Sequence, residues 1–200
     1  GFGVSKAYEG FSSLPAVRRE IDGLLTSDVP ILSGKAYLDD AFTQASLEAE
    51  LADAQPILHI ASHFSLRPGD EANSFLLLGD GKHLSLAEIS YSPALAFTGV
   101  KLMTLSACST GLSSDDGTGA EIEGLGTLAQ EKGADAVLAT MWDVADDTTA
   151  TFMQVFYTGQ ATGNLNKAEA LQAAQIKMIE NPKTQHPYYW APYILMGNWK

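Results

Sequence analysis

The chain has 200 residues, of which 46% are hydrophobic, and it carries a formal net charge of −12 at neutral pH. This length and apolar content suffice for one domain with a sizeable core. The negative charge argues against a general nucleic-acid binder, because phosphates are bound by clustered Lys and Arg. It also argues against binding to acidic membranes. No apolar run reaches the roughly eighteen residues that a membrane-spanning helix needs. A basic substrate or partner is compatible with the charge.

The amino terminus and the cysteine content bear on where the protein works. The first ten residues, GFGVSKAYEG, lack the apolar stretch of a signal peptide. Residue 1 is Gly rather than Met, so we expect the chain to be the carboxyl-terminal part of a longer protein. The one cysteine, Cys108, excludes an internal disulfide and indicates a reducing compartment such as the cytoplasm.

The spacing of apolar residues predicts helices and strands that follow one another along the chain. A Gly-Asp-Gly turn after the strand at 75–78 predicts a short hairpin closing around Leu84. Ser85 and Glu88 form a capping box, so a short helix is expected from Leu86. Gly133 is a natural end for the helix that precedes it. The other predicted helices cover residues 14–25, 39–54, 120–132, 146–157 and 166–179, and the other predicted strands cover residues 29–32, 57–64, 102–105, 136–141 and 193–196.

The predicted strands are apolar throughout and do not alternate between apolar and polar residues. Together with the alternation of strands and helices, this pattern predicts a parallel sheet covered by helices on both faces. No repeat period, low-complexity tract or linker is visible in the sequence. We therefore expect a single domain over residues 1–200.

The segment 101–111, KLMTLSACSTG, is the most informative stretch of the chain. An apolar strand runs into small residues and then into Cys108. A nucleophile at the carboxyl end of a parallel strand lies where open α/β sheets bind their ligands. The alternative is that Cys108 is a small buried hydrophobic residue, as free cysteines often are.

One of the four histidines is placed to act with this cysteine. His63 lies at the end of the strand predicted at 57–64. Neighbouring strand ends of a parallel sheet lie close together, so His63 could approach Cys108, which follows it by 45 residues. An imidazole beside a thiol promotes formation of the reactive thiolate. His59 lies inside the strand and is interpreted as a core residue, whereas His83 and His186 receive no role.

Several segments of the chain resemble the CHAT family. SACSTG at 106–111 resembles the cysteine motif of that family, and ILHIASH at 57–63 resembles its strand and histidine. CHAT domains are caspase-like peptidase domains, often fused to tetratricopeptide repeats and akin to separases. The match covers nearly the whole chain from about Leu14 onward. Further segments that resemble the family are GLG at 124–126, KGADAV at 132–137, WDVAD at 142–146, KAEALQAAQ at 167–175 and YWAPY at 189–193.

The resemblance implies a fold and a reaction. The fold is a caspase-like three-layer α/β/α sandwich around a mostly parallel sheet. The reaction is cleavage of a protein substrate by a dyad of Cys108 and His63, with no cofactor and no metal.

Backbone N–H groups at Cys108 and after His63 are the expected donors of the oxyanion hole. The family usually has Gly after the histidine, whereas this chain has Phe64. Phe64 retains an N–H, but a positive φ at this position would strain a residue that has a Cβ. Its side chain could also narrow the cleft and select substrates.

Three aspartates follow the strand at 136–141. The expected role of Asp147 is to stabilise the start of the next helix. By resemblance to separases, Asp146, and after it Asp143, would bind a basic side chain at P1, the substrate residue before the scissile bond. A carboxylate pairs with Arg through two hydrogen bonds, so Arg is expected ahead of Lys.

Other function classes find less support in the sequence. GTG at 117–119 lacks the rest of a dinucleotide fingerprint, and there is no Gly-x-Ser-x-Gly elbow or P-loop. One cysteine cannot supply a typical zinc site. Two alternatives to an active peptidase stay open. One is a non-catalytic caspase-like module that acts through protein–protein interaction. The other is a latent enzyme that a partner, such as an upstream tetratricopeptide-repeat or other regulatory domain, switches on.

Overall fold

The computed structural model describes residues 1–65, 67, 70–107, 120–142, 144 and 146–200, with the backbone alone described at residues 107, 120–123, 146 and 147. Within these residues the strands are β1 (Phe2–Gly3), β2 (Tyr37–Leu38), β3 (Ile57–Ser62), β4 (Phe64–Ser65), β5 (Phe75–Leu77), β6 (His83–Ser85), β7 (Leu102–Ala107), β8 (Ala136–Thr140) and β9 (Tyr193–Gly197). The α-helices are α1 (Pro15–Ile21), α2 (Gln44–Ala52), α3 (Leu86–Tyr91), α4 (Ala120–Glu131), α5 (Asp146–Ala161) and α6 (Lys167–Glu180). A π-helical turn, Asp22–Thr26, follows α1 directly, and short 3-10 turns lie at Asp39–Ala41, Pro93–Leu95 and Pro187–Tyr189.

A central sheet organises these elements, with the strand order β2-β1-β3-β7-β8-β9. Its neighbouring strands are parallel except for β8 and β9. The helices α2, α3 and α4 cover one face, and α1, α5 and α6 cover the other. The described chain is therefore a three-layer α/β/α sandwich around a mostly parallel sheet, as the sequence predicts.

Strand β8 shows why the predicted strands are apolar throughout. Val137 and Ala139 pack into the core on the α4 side, whereas Ala136 and Leu138 pack into the core on the α5 side. All four side chains are fully buried. A strand covered on both faces requires an uninterrupted apolar run.

A second, antiparallel sheet made of β4, β5 and β6 follows His63 in the chain. The hairpin of β5 and β6 is the one predicted from the Gly-Asp-Gly turn, and Gly81 in that turn has a φ of 82°. The predicted capping box is also confirmed. Ser85 Oγ accepts a hydrogen bond from the Glu88 N–H, and the Glu88 carboxylate accepts one from the Ser85 N–H.

The strand predicted at 29–32 is wrong. Val29 is exposed, and the Leu32 N–H donates to the Leu24 carbonyl at 2.9 Å, so the segment packs against the end of the first helical region. The edge position beside β1 is occupied by β2, which pairs Phe2 with Tyr37. Neither β1 nor β2 is predicted from the sequence, because two residues are too few to show a period.

Two helix boundaries also differ from the prediction. Helix α2 begins at Gln44 and not at Asp39, because Asp39 has a left-handed φ of 51° and Thr43 is the N-cap, whose side chain accepts a hydrogen bond from the Ser46 N–H. Helix α5 extends to Ala161, about one turn beyond the predicted end. The last strand pairs antiparallel with β8. None of the helices in the described part of the chain is long and apolar enough to cross a bilayer.

The close approach of Gly79 to Asp39 leads to a prediction about two glycine substitutions. A Cβ on Gly79 would lie 1.9 Å from the Asp39 carbonyl oxygen. Gly79→Ala must therefore displace backbone, and we expect it to lower the free energy of unfolding by about 1–3 kcal/mol. In α4, no described atom lies within 4 Å of a Cβ built on Gly124. Gly124→Ala should accordingly raise stability by about 0.5–1 kcal/mol. Urea unfolding measures both effects, and changes of the same sign would contradict the prediction.

Candidate active site

The candidate active site lies at the carboxyl ends of β3 and β7. The two strands pair in parallel, and their last residue pair joins Ser62 to Ala107. His63 follows β3 directly, and Cys108 is the next residue in sequence after β7. The two strand ends thus lie side by side, as expected for neighbouring parallel strands. Cys108 itself lies outside the described residues, so the geometry of the site is given from the histidine side.

The His63 ring is fully buried and is held by the segment that precedes α1. Its Nε2 lies 2.8 Å from the carbonyl oxygen of Ser12. The centroids of the His63 and Phe11 rings are 5.1 Å apart. Because a carbonyl oxygen only accepts hydrogen bonds, Nε2 carries the proton in this contact. In the neutral ring Nδ1 is then the basic nitrogen, on the side of the imidazole away from Ser12.

Nothing in the sequence pattern marks Ser12 or Phe11 as partners of His63. The contribution of Ser12 is a backbone carbonyl, which every residue type possesses, so no side-chain pattern marks it. Phe11 stands in a short irregular segment, where an aromatic residue has no period that would point to a partner.

A tight loop places Ser12 against the histidine. Tyr8 and Phe11 form an antiparallel bridge with backbone hydrogen bonds of 3.1 and 2.9 Å, and Gly10 between them has a φ of 80°, which favours glycine. The Tyr8 hydroxyl donates to the carbonyl of Gly79 in the hairpin turn. The loop is thereby attached to the second sheet.

Asp39 anchors the start of this loop. Its buried carboxylate accepts hydrogen bonds from the N–H groups of Ser5 at 2.7 Å and Lys6 at 3.2 Å, and from the Arg18 guanidinium at 3.0 Å. Burial raises the pKa of this carboxyl, but the hydrogen bonds from Ser5 and Lys6 and the charge of Arg18 outweigh burial, so the pKa of Asp39 lies below its ordinary value. The Leu14 N–H donates to the Ser5 carbonyl at 3.1 Å and closes the other end of the loop.

Phe64, the expected oxyanion donor, lies in β4 with its side chain buried. It is not among the described non-glycine residues that have a positive φ, so its Cβ causes no such strain. The Leu77 N–H donates to the His63 carbonyl at 3.0 Å, which makes Phe64 and Leu76 a non-hydrogen-bonded pair of the ladder. The Phe64 N–H therefore points away from β5 and takes no part in this ladder.

The predicted acidic pocket is described only in part. Asp146 is the first residue of α5, at the carboxyl end of β8, which neighbours β7 in the sheet. Asp143 and the side chains of Asp146 and Asp147 lie outside the described residues. Trp142, next to this position, is 40% exposed and donates its Nε1–H to the Tyr188 carbonyl at 3.0 Å.

The other three histidines lie elsewhere. His59 is buried in the core, with Nδ1 3.1 Å from the Tyr157 hydroxyl, in agreement with its interpretation as a core residue. The His83 ring stacks on Phe75 at 3.7 Å between centroids. The side chain of His186 accepts a hydrogen bond from a backbone N–H in the 3-10 turn that follows it. In the part of the chain that the structure describes, no three His, Cys, Asp or Glu side chains are grouped as metal ligands.

The described residues form a mostly parallel α/β sandwich with a buried histidine directly after β3, an arrangement that agrees with a caspase-like domain. The family model of the CHAT domain matches residues 5–198, which is nearly the whole chain. The chain therefore belongs to the CHAT domain family, whose caspase-like fold relates it to peptidases. No curated protein matches the chain significantly.

The anchoring role of Asp39 predicts a pH-dependent effect of Asp39→Asn. Because folding lowers the pKa of Asp39, its contribution to stability is complete above the ordinary aspartate pKa of about 4 and is lost as the pH falls below it. We expect Asp39→Asn to reduce the free energy of unfolding by about 1–3 kcal/mol at pH 7. The difference from wild type should shrink on acidification below about pH 4. Urea unfolding of both proteins at several pH values measures this difference in the free energy of unfolding.

The neighbouring Asp40 offers a matched control. Its carboxylate is exposed and pairs with the exposed Lys6 side chain at 2.8 Å, so Asp40→Asn should leave stability close to that of wild type. A loss for Asp39→Asn that is the same at pH 7 and at pH 3.5 would show that the charge of Asp39 is not what anchors the loop.

Proposed function

We propose that this CHAT domain is a cysteine endopeptidase in which Cys108 is the nucleophile and His63 the general base. The observation that carries the proposal is the 2.8 Å contact between His63 Nε2 and the Ser12 carbonyl. It selects the tautomer whose Nδ1 can take a proton from a thiol. The paired ends of β3 and β7 support the proposal, because they bring the backbone before Cys108 beside that of His63.

The proposed reaction runs in two halves. His63 Nδ1 takes the Cys108 proton, and the thiolate attacks the carbonyl carbon of the scissile peptide bond. The imidazolium then gives its proton to the amine of the leaving segment as the C–N bond breaks. A water molecule, deprotonated by His63, hydrolyses the thioester that remains and restores the thiol. Throughout, the Ser12 carbonyl would keep the ring oriented and stabilise the imidazolium.

The oxyanion of each tetrahedral intermediate would be bound by the N–H groups of Cys108 and Phe64. The direction of the Phe64 N–H, away from β5, supports this assignment. An N–H that donated to β5 would not be available to bind the oxyanion. The absence of a positive φ at Phe64 supports it as well. A phenylalanine in place of the usual glycine is thus compatible with a working oxyanion hole.

The substrate preference that we propose is a basic P1 residue, Arg ahead of Lys. Asp146 supports this proposal because it begins α5, the helix that follows β8 in the chain, and β8 neighbours β7 in the sheet; Asp143 would add a second carboxylate. The net charge of −12 agrees with a basic substrate.

A latent enzyme is the second candidate, and the burial of His63 favours it. A base whose ring is fully buried has to become accessible before a peptide can react. We propose that a tetratricopeptide-repeat or other regulatory domain of the full-length protein supplies this activation. We also propose that the protein works in the cytoplasm, where a lone catalytic thiol stays reduced. If activation never yields a reactive thiol, the domain is a non-catalytic interaction module.

Covalent labelling with a peptide acyloxymethyl ketone that carries Arg at P1 tests the dyad. The wild-type protein should be labelled stoichiometrically, Cys108→Ala should not react, and His63→Ala should react at least about 100-fold more slowly. His186→Ala is the matched control, because this exposed histidine should leave labelling unchanged. Mass spectrometry of the intact protein measures the rate. An unreactive wild type, both alone and within the full-length protein, would favour the interaction module.

Replacing single amides by esters tests the oxyanion hole. Incorporation of phenyllactate at position 64 removes only the N–H of Phe64, and we expect turnover of an Arg-P1 peptide to fall by about 100- to 1,000-fold. The matched control is the leucine hydroxy-acid analogue at Leu78, whose N–H donates to the Lys82 carbonyl at 2.8 Å. This ester should lower stability by about 1 kcal/mol and leave turnover nearly unchanged. Equal losses of turnover in both proteins would contradict the role of Phe64.

A further inference from the structure

A buried polar network lies between the central sheet and the helices α1 and α5. It consists of Glu20 from α1, His59 from β3, Thr104 from β7 and Tyr157 from α5, and none of the four is more than 2% exposed. Glu20 Oε1 is 3.0 Å from His59 Nε2, His59 Nδ1 is 3.1 Å from the Tyr157 hydroxyl, and that hydroxyl is 2.6 Å from Thr104 Oγ1. The network joins two helices to the two strands that lead into the site.

The positions of the four side chains are tightly constrained. Because the side chains are buried, bulk water cannot replace a hydrogen-bond partner that is lost. Burial raises the pKa of Tyr157, so its phenol stays protonated and provides a hydrogen bond to the network. Glu20 Oε1 and His59 Nε2 are close enough for an ion pair, although their contact lacks the alignment of a good hydrogen bond. A buried carboxylate separated from its partner is strongly unfavourable. The contact of Glu20 with His59 therefore strongly restricts where α1 can lie.

Helix α1 is held at both ends by histidines: by His59 within β3 and by His63 directly after β3. Glu20, near the carboxyl end of the helix, contacts His59 Nε2, and Ser12, before its amino end, contacts His63 Nε2. Between these contacts, apolar residues of α1 pack on Ala61. The helix thus runs antiparallel to β3, with one of these contacts on each side of Ala61.

We propose that Glu20 is a positioning residue for the base: through its contact with His59 it holds α1 in the register that keeps the Ser12 carbonyl on His63 Nε2. The proposal rests on the proposed function of His63 for its catalytic meaning, but the placement of the ring is a property of the fold alone. Glu20 acts through α1 and touches neither substrate nor His63. Loss of the contact lets the helix shift, and the His63 ring then loses the partner that selects its tautomer.

The test uses the whole chain with Glu20→Gln and, as a second variant, His59→Gln, which removes the same contact from the other side. Long-range ¹H–¹⁵N spectra of the histidine rings, assigned with His63→Ala, report the His63 tautomer without any need for activity. We expect a single Nε2–H tautomer in the wild type and a mixture in both variants. The rate of labelling by the Arg-P1 ketone should also fall roughly 10- to 100-fold, since displacement of a catalytic group by about 1 Å costs this much.

Glu50→Gln is the matched control. Glu50 is also a buried glutamate, but it lies in α2 and pairs with Lys35 at 2.7 Å and with Tyr37 at 2.7 Å, away from α1. Its substitution should destabilise the protein without changing the His63 tautomer.

The results decide the inference in either direction. A wild-type tautomer in a folded Glu20→Gln or His59→Gln variant overturns the inference, and so does an equal change in Glu50→Gln. If one of the two variants fails to fold, the ring spectra of the other still test the role of Glu20. If the wild type is not labelled at all, the proposed function fails, while the ring spectra still decide the role of Glu20.

Discussion

The parallel pairing of β3 with β7 is the constraint on which the site depends. The pairing runs without a break from Ile57 opposite Leu102 to Ser62 opposite Ala107. It brings two segments that are far apart in sequence to one edge of the sheet, where both strands end at the same level. A slip of one residue would turn the side chains of one strand to the opposite face, so this register has to be specified strongly. Burial on both faces specifies the register, because after a slip the side chains of the shifted strand would pack against the wrong neighbours in both cores.

The strands bring His63 to the site, but they do not orient its ring. The ring is oriented by the segment before α1, through the Ser12 carbonyl and the Phe11 side chain. That segment is in turn held by the buried carboxylate of Asp39 and by the hairpin turn at Gly79. The residues that support the base therefore come from three separate parts of the chain. Such support is expected of a catalytic group, whose geometry has to be held by contacts that leave it little freedom.

Much of the fold could be predicted because its local signals agree with the global arrangement. The apolar runs of β3, β7 and β8, the capping box at Ser85 and the helix end at Gly133 each show in a few consecutive residues. The predictions were wrong where tertiary contacts override local pattern. Residues 29–32 look like a strand, yet β2 takes the edge beside β1, and Asp39 takes a left-handed conformation that delays α2.

The sequence by itself determined that β3 and β7 are buried strands and that a histidine and a cysteine follow them, because period and composition are local properties. It also determined the family, through motifs that span nearly the whole chain. Only the tertiary structure decided which nitrogen of His63 carries the proton and which direction the Phe64 N–H takes. It alone placed Glu20 on His59. Each of these depends on a partner contributed by a distant segment, often a backbone atom, and backbone atoms are the same in every residue. Such contacts arise only when the chain is folded.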